Sequence, residues 1–101
     1  MKTIVDISIV PLGVGLSLSS YIAACEEVFE EADLKTHMHA SGTNVEGEWD
    51  QVMAAVKRCF ERVHSMGAPR ISASMRLSTR TDQDHSLEHK VESVRQKLEP
   101  R

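Results

Sequence analysis

The stretch LKTHMHASGTNVEG, residues 34–47, places a turn between two runs of alternating side chains. Residues 34–40 alternate between two faces, Ser41-Gly42 is a turn dipeptide, and residues 43–47 return with Val45 directed inward. This pattern is typical of a β-hairpin. Because an amphipathic helix is predicted on each side of it, the hairpin decides which fold the chain can adopt.

Helical periodicity flanks the hairpin on both sides. Before it, apolar residues recur at spacings of three and four over about 18–32. The opposite side of this helix carries Glu26, Glu27, Glu30 and Glu31. A second stripe runs over about 48–66, and Gly67 predicts its end. Ser17 and Ser19 precede the first helix, and either is suited to cap its N-terminus.

Two further strands and a last helix complete the pattern. Residues 3–10 alternate, and Pro11 is predicted to end that strand. Residues 70–80 alternate again and are predicted to direct four side chains toward the helices: Ile71, Ala73, Met75 and Leu77. A short helix follows over 87–98. The order predicts a single α+β domain over residues 1–101, a ferredoxin-like βαββαβ sandwich with an extra C-terminal helix.

Composition excludes several classes of protein. The net charge of −3 argues against a nucleic-acid-binding protein, which carries a concentrated basic patch. No run approaches the roughly 20 apolar residues that span a bilayer, and the N-terminus does not resemble a signal peptide. Cys25 and Cys59 lie on the helical stripes without CxxC spacing, so we expect buried, reduced thiols rather than a disulfide or metal site. We expect a cytoplasmic protein with no membrane partner.

Three polar residues of the hairpin are candidates for a binding site. Thr43, Asn44 and Glu46 offer a hydroxyl, an amide and a carboxylate within four positions. One interpretation is a polar hairpin tip, with Glu46 helping the chain to enter the second helix. The other is a hydrogen-bonding edge, since a carboxylate can accept hydrogen bonds from an amino-substituted nitrogen heterocycle.

Two further groups of polar residues are weaker candidates. Ser17 and Ser19 lie at a helix N-terminus after a glycine-containing loop, a place that either caps the helix or holds an anion. His37 and His39 share one face of a strand and could begin a metal site, and His85 and His89 could pair at i, i+4 spacing. A polar sheet face or a subunit interface explains the histidines better, so we expect no metal and no cofactor.

Four segments of the sequence resemble the small thiamine-binding protein family. They are VPLGVGLSLSSYIA (10–23), SGTNVEGEWDQVM (41–53), GAPRISASMRLSTRTD (67–82) and KVESV (90–94), and they occur in the family's order. The most specific piece is the Gly-Thr-x-x-Glu-Gly segment at residues 42–47. Together the segments cover nearly the whole chain.

The resemblance implies a ferredoxin-like fold, a homo-oligomer that is commonly a dimer of dimers, and binding of thiamine or its hydroxymethylpyrimidine moiety. It implies ligand-binding roles for Ser17, Ser19, Thr43 and Glu46. Asn44 stands where the family often has an apolar residue, and we include it as a candidate ligand contact. Proteins of the family resemble carriers or sensors, and no reaction is established for them.

Three functions stay open on these residues. The first is a non-catalytic binding protein for thiamine or a related pyrimidine, and we expect this one. The second is an enzyme acting on a thiamine precursor, with Glu46 or Asp6 as its base. The third is a structural oligomer regulated by a ligand. The fold cannot separate them, because this scaffold hosts many functions.

Overall fold

The computed structural model describes residues 1–82 and 86–99. Its elements in chain order are β1 (Lys2–Leu12), α1 (Ser19–Glu31), β2 (Lys35–His39), β3 (Gly42–Glu48), α2 (Trp49–Ser65), β4 (Arg70–Thr79) and α3 (Leu87–Leu98). The predicted α+β, ferredoxin-like order is confirmed. Part of the polar loop predicted before the last helix lies outside the described residues.

The four strands form one antiparallel sheet in the order β2-β3-β1-β4. Facing residues of neighbouring strands share a face of the sheet, and successive residues alternate between the faces. Val5 pairs with Val45 on the face covered by α1 and α2, called here the helix face. Ile4 pairs with Glu46 on the opposite face, called here the outer face.

The core lies between the helix face and the two helices that cross it. Its cluster is aliphatic apart from Phe29 and the two cysteines, in keeping with the scarcity of aromatic residues. The largest fully buried side chains are Phe29, Val5, Val28, Val45, Val52, Val63, Thr3 and Cys59. Both cysteines lie in this packing and are free thiols, as expected.

Both main helices end at residues with a left-handed backbone. Asp33 follows α1 with φ of 57°, and the amide of Leu34 bonds back to the Phe29 carbonyl at 3.2 Å. Gly67 follows α2 with φ of 108°, which confirms the predicted stop. These tight ends return the chain directly into β2 and β4.

Two predictions about the start of the fold are wrong. Neither Ser17 nor Ser19 caps α1, because Leu18 occupies the cap position and its carbonyl accepts the first free amides. Pro11 does not end β1, since the strand continues to Leu12 and Pro11 pairs with Ile71. This end of β1 pairs with β4 alone among the described strands, so a residue without an amide hydrogen is tolerated there.

The sheet is covered less completely than the sequence predicts. Ala73 and Met75 of β4 lie on the helix face but are exposed, Met75 by 44%, because α2 leaves this edge strand largely open. On the outer face, α3 contains no buried residue. No helix in the described part of the chain has the length and apolar character needed to cross a membrane.

Candidate functional site

A cavity of about 370 Å³ opens on the helix face where the β2–β3 hairpin stops short of the end of β1. The last pair between β1 and β3 is Ile7 with Thr43, whereas β1 continues to Leu12 beside β4. The resulting notch lies under the first half of α1. We call it the hairpin cavity, and its polar and apolar lining comes from β1, α1 and the hairpin turn.

Most of the side chains around the hairpin cavity are apolar. They come from two strands and one helix: Ile7, Ile9, Leu18, Ile22, Phe29 and Met38. Ile22 and Met38 are exposed by 42% and 60%, far more than core positions, because the cavity lies beside them. The walls are therefore suited to a flat apolar body.

One buried polar pair lies in this apolar setting. Thr43 is 6% exposed and donates a short hydrogen bond from Oγ1 to Oε1 of Glu26 on α1. The bond leaves the second carboxylate oxygen of the half-buried Glu26 without a hydrogen bond among the described residues. A carboxylate held in this way can accept a hydrogen bond from an amine or attract a cation.

Gly42 allows the hairpin to approach β1 closely at the cavity. A Cβ at this position would lie 2.6 Å from the backbone oxygen of Ile7, a distance at which the strand itself must move. The glycine therefore determines how near Thr43 comes to β1 and α1. This gives the first glycine of the Gly-Thr-x-x-Glu-Gly segment a packing role.

The structure separates the three candidate residues of the hairpin. Thr43 lies in the hairpin cavity, whereas Asn44 and Glu46 lie on the outer face. Residues three apart in a strand point to opposite faces, so Thr43 and Glu46 do not form one hydrogen-bonding edge. Asn44 donates from Nδ2 to Oδ1 of Asp6 at 3.2 Å.

Glu46 holds the last helix onto the outer face. It is 6% exposed, and its Oε1 accepts the amide hydrogen of Leu87, the first residue of α3, at 2.8 Å. Its Oε2 lies 3.9 Å from the ammonium nitrogens of both Lys2 and Lys35. The expectation that Glu46 helps the chain to enter the second helix is not met, because the helix it contacts is α3.

The two serine candidates lie outside the hairpin cavity lining. Ser17 and Ser19 are exposed, and Leu18 between them is the residue that reaches the cavity. This arrangement follows from the position of the helix start, because Leu18 occupies the N-cap. The two hydroxyls therefore remain candidates only for a ligand that extends beyond the cavity mouth.

His37 and His39 share the outer face, as predicted, but they have different surroundings. Nε2 of His39 lies 2.7 Å from Oδ1 of Asp6, and its Nδ1 accepts the Ser41 amide at 3.3 Å. His37 lines a second cavity of about 580 Å³ between β2 and α3. Within residues 1–82 and 86–99, no three His, Cys, Asp or Glu side chains are grouped to hold a metal ion.

The second cavity is less suited to a specific ligand than the hairpin cavity. Its cationic groups have intramolecular partners: Lys35 pairs with Glu88, and Arg95 lies 4.0 Å from Glu92. One wall is α3, which touches the rest of the chain mainly through its first turn. A ligand there would have to displace these pairs.

Cys25 brings a thiol to the wall of the hairpin cavity. The thiol of Cys59, on α2, lies 3.7 Å from the Cys25 carbonyl oxygen, so the two residues touch across the α1–α2 contact. Hydrogen bonding from Cys59 lowers the pKa of the Cys25 thiol, and the same interaction together with burial raises the pKa of Cys59. Ionisation is therefore favoured at Cys25 over Cys59.

Sequence reasoning missed Glu26 and Cys25 as cavity residues. Glu26 was predicted to face solvent with three other glutamates, but it lies one turn after Ile22 and borders the apolar stripe. That i, i+4 spacing from an apolar residue was the available signal. Which residue of α1 would meet Thr43 depends on the rotation of the helix on the sheet.

Sequence comparison links the chain to one family along most of its length. The profile described as "Thiamine-binding protein" matches residues 5–95. The UPF0045 protein sll0230 of Synechocystis is 58% identical over 99 residues, covering 98% of this chain and 82% of that protein. The UPF0045 protein ECM15 of Eremothecium gossypii is 42% identical, covering 97% of this chain and 94% of that protein.

Solved structures share the fold. MJ1052 of Methanocaldococcus jannaschii superposes with a TM-score of 0.86 at 33% identity, covering 92% of this chain and 95% of that one. A Thermotoga maritima protein, described as a candidate in thiamine biosynthesis or salvage, superposes with a TM-score of 0.80 at 24% identity. That match covers 93% of this chain and 99% of the other.

Proposed function

We propose that this chain, which belongs to the thiamine-binding protein family, binds the hydroxymethylpyrimidine moiety of thiamine in the hairpin cavity. The observation that carries the proposal is the Glu26–Thr43 pair inside an otherwise apolar cavity. An aminopyrimidine combines a flat ring with an edge of ring nitrogens and an amine. The ring needs apolar walls, and its edge needs a small number of fixed polar partners.

The size of the cavity favours the pyrimidine part over the whole vitamin. Its volume of about 370 Å³ is near the lower end of the roughly 300–1,000 Å³ of small-molecule sites. Whole thiamine would place its thiazolium ring at the cavity mouth, near the exposed Ser17 and Ser19. The overall charge of −3 does not oppose a cationic ligand.

The polar edge of the ligand has a partner on each side of the cavity. On one side the free oxygen of Glu26 can accept a hydrogen bond from the exocyclic amine. On the other side, Ser8, Ile9 and Val10 belong to the part of β1 that has no β3 partner. Backbone groups along such an open strand edge offer donors and acceptors at regular spacing.

The proposal is tested by calorimetric titration with hydroxymethylpyrimidine and with thiamine. Glu26→Gln and Thr43→Val keep the side-chain shapes, and each should weaken binding by roughly 10- to 100-fold, since a hydrogen bond to a charged group contributes about 1.5–3 kcal/mol. Glu46→Gln is the matched control, because the same change falls on the outer face. Undiminished binding in the two cavity variants, or equal weakening in the control, would contradict the proposal.

A non-catalytic role is the second part of the proposal. The two carboxylates suggested as catalytic bases, Asp6 and Glu46, lie on the outer face with hydrogen-bond partners of their own. Neither lines the hairpin cavity. We therefore expect recovery of unchanged pyrimidine after incubation with the protein, and product formation at a steady rate would instead support the enzyme hypothesis.

We also propose a homo-oligomer, with a dimer of dimers as its expected form. The seam of α3 is exposed at Val91, Val94 and Leu98 by 54%, 59% and 77%. Val10 and Leu12 of β1 lie on the outer face and are exposed by 36% and 38%. We propose that α3 of one copy covers the outer face of another, because grouped exposed apolar side chains are typical of interfaces.

A further inference from the structure

The cysteine pair between α1 and α2 contributes to packing but has no part in the proposed function. Cys25 is 7% exposed and forms part of the cavity wall, whereas Cys59 is 0% exposed behind it. The Cys59 thiol donates a hydrogen bond to the Cys25 carbonyl oxygen at 3.7 Å, so its sulfur lies against Cys25. A reagent that enters the cavity therefore meets Cys25 first.

The surroundings of Cys25 favour its reactive form. Its ionised sulfur receives the hydrogen bond of Cys59 and the field of Arg62, opposed by burial and by the neighbouring Glu26, and its pKa is lowered on balance. The thiolate is the nucleophile, and Cys25 both lines the cavity and ionises more readily than Cys59, so Cys25 is the first residue to react. A low-pKa thiol next to a second thiol is the arrangement found at redox-sensing cysteines.

We propose that Cys25 and Cys59 form a peroxide-sensitive dithiol that closes to an intramolecular disulfide between α1 and α2. The Cys25 thiolate attacks one oxygen of hydrogen peroxide, the O–O bond breaks, and the departing hydroxide takes up a proton to become water. The Cys59 thiol then transfers its proton to the hydroxyl of the Cys25 sulfenic acid as its sulfur attacks the Cys25 sulfur, so that an S–S bond replaces the S–O bond and a second water leaves. Two thiols are oxidised and one peroxide is reduced.

The structure also determines which oxidants can react. Hydrogen peroxide is close to water in size and can enter a cavity of about 370 Å³ that Cys25, itself 7% exposed, helps to line. A bulky disulfide such as oxidised glutathione cannot align with that sulfur, since exchange requires direct attack along the S–S bond. The inference does not rest on the proposed ligand, because its readout is the mass of the chain.

The experiment treats the full-length protein with hydrogen peroxide, blocks remaining thiols with N-ethylmaleimide and measures the intact mass. We expect loss of two hydrogen atoms per chain, no maleimide adduct, a Cys25–Cys59 cross-linked peptide, and recovery of both thiols with dithiothreitol. Oxidised glutathione should react much more slowly. Independent overoxidation of the two cysteines, or a disulfide between chains, would overturn the proposal.

Two variants assign the order of the steps without requiring the disulfide. Cys59→Ser should stop at a Cys25 sulfenic acid that dimedone traps, because the second thiol is missing. Cys25→Ser should slow the loss of Cys59 by roughly tenfold or more, since the remaining thiol is buried and protonated. Equal reactivity of the two variants, each checked for native circular dichroism, would contradict the assignment of Cys25 as the first site.

Discussion

The two faces of the sheet carry opposite kinds of contact, although they are built from the same strands. On the helix face, α1 and α2 bury an aliphatic core and leave the hairpin cavity, which holds the Glu26–Thr43 pair. On the outer face, α3 is held by charged and polar groups of Glu46 and Lys35, and its apolar seam remains exposed. Apolar burial is therefore concentrated on the helix face, whereas polar and charged contacts position α3 on the outer face.

The largest expected difference between the faces concerns apolar residues. Phe29→Ala removes a side chain that is 1% exposed, so the free energy of unfolding should fall by about 3–5 kcal/mol. Val94→Glu on α3 changes a residue that is 59% exposed. It should change the free energy of unfolding of a single chain by less than about 0.5 kcal/mol. Urea denaturation measures both.

The same α3 variant tests the proposed assembly. Light scattering during size-exclusion chromatography should give a multiple of the chain mass for the unmodified protein and a smaller mass for Val94→Glu, because a charge in the seam opposes its burial. A single-chain mass for both proteins would remove the proposed interface. Loss of stability equal to that of Phe29→Ala would show that α3 belongs to the core.

An intermediate difference is expected between two glutamates of β3. Glu46→Ala removes a buried acceptor, so the Leu87 amide loses its hydrogen bond and two lysines lose a nearby carboxylate. The free energy of unfolding should therefore fall by about 1–3 kcal/mol. Glu48→Ala removes an ion pair of a side chain that is 61% exposed, which contributes about 0–1 kcal/mol.

Circular dichroism at 222 nm distinguishes how Glu46→Ala acts. A 12-residue helix is marginal in water by itself, so release of α3 should lower the helical signal before the main unfolding transition. Glu48→Ala should retain the full signal. If the two variants behave alike, Glu46 does not anchor α3.

Sequence periodicity was enough for the order of the elements, because the alternation of a strand and the stripe of a helix are visible in the sequence whether or not the element is buried. The hairpin at residues 34–47 and the helix over 87–98 were predicted on this basis, and the latter coincides with α3. The separation of Thr43 from Glu46 was also available from the period of two in a strand. Residues close in sequence can therefore point to opposite sides of a sheet.

The remaining errors come from contacts between distant segments. Glu26 reaches Thr43 only because α1 lies over the hairpin end, and Glu46 meets Leu87 across 41 positions of sequence. Pro11 stays in a strand because its neighbour on one side is missing. Local propensity does not determine any of these arrangements, since tertiary packing decides them.

The smallest expected effect concerns the ion pair at the start of α3. The ammonium of Lys35 lowers the pKa of the Glu88 carboxyl below its ordinary 4.5 and has its own pKa raised above 10.5 through the same hydrogen bond. Because its pKa is lower in the folded protein, the Glu88 carboxyl stabilises the attached helix at pH values above its unfolded-state pKa. This stabilisation is lost as pH falls through the folded-state pKa. Because its pKa is higher in the folded protein, the Lys35 ammonium stabilises the helix at pH values below 10.5. This stabilisation is lost as pH rises through the folded-state pKa.

The pair should therefore hold α3 between about pH 4.5 and 10.5. Carboxyl titration by NMR should find that Lys35→Gln returns the Glu88 pKa toward its ordinary value, whereas Lys90→Gln, the same charge change on α3, should shift it less. Added salt should reduce the shift in the unmodified protein, because exposed charges are screened. If the Glu88 pKa changes neither in Lys35→Gln nor with added salt, the ion pair does not anchor the helix and the Glu46–Leu87 hydrogen bond is its anchor.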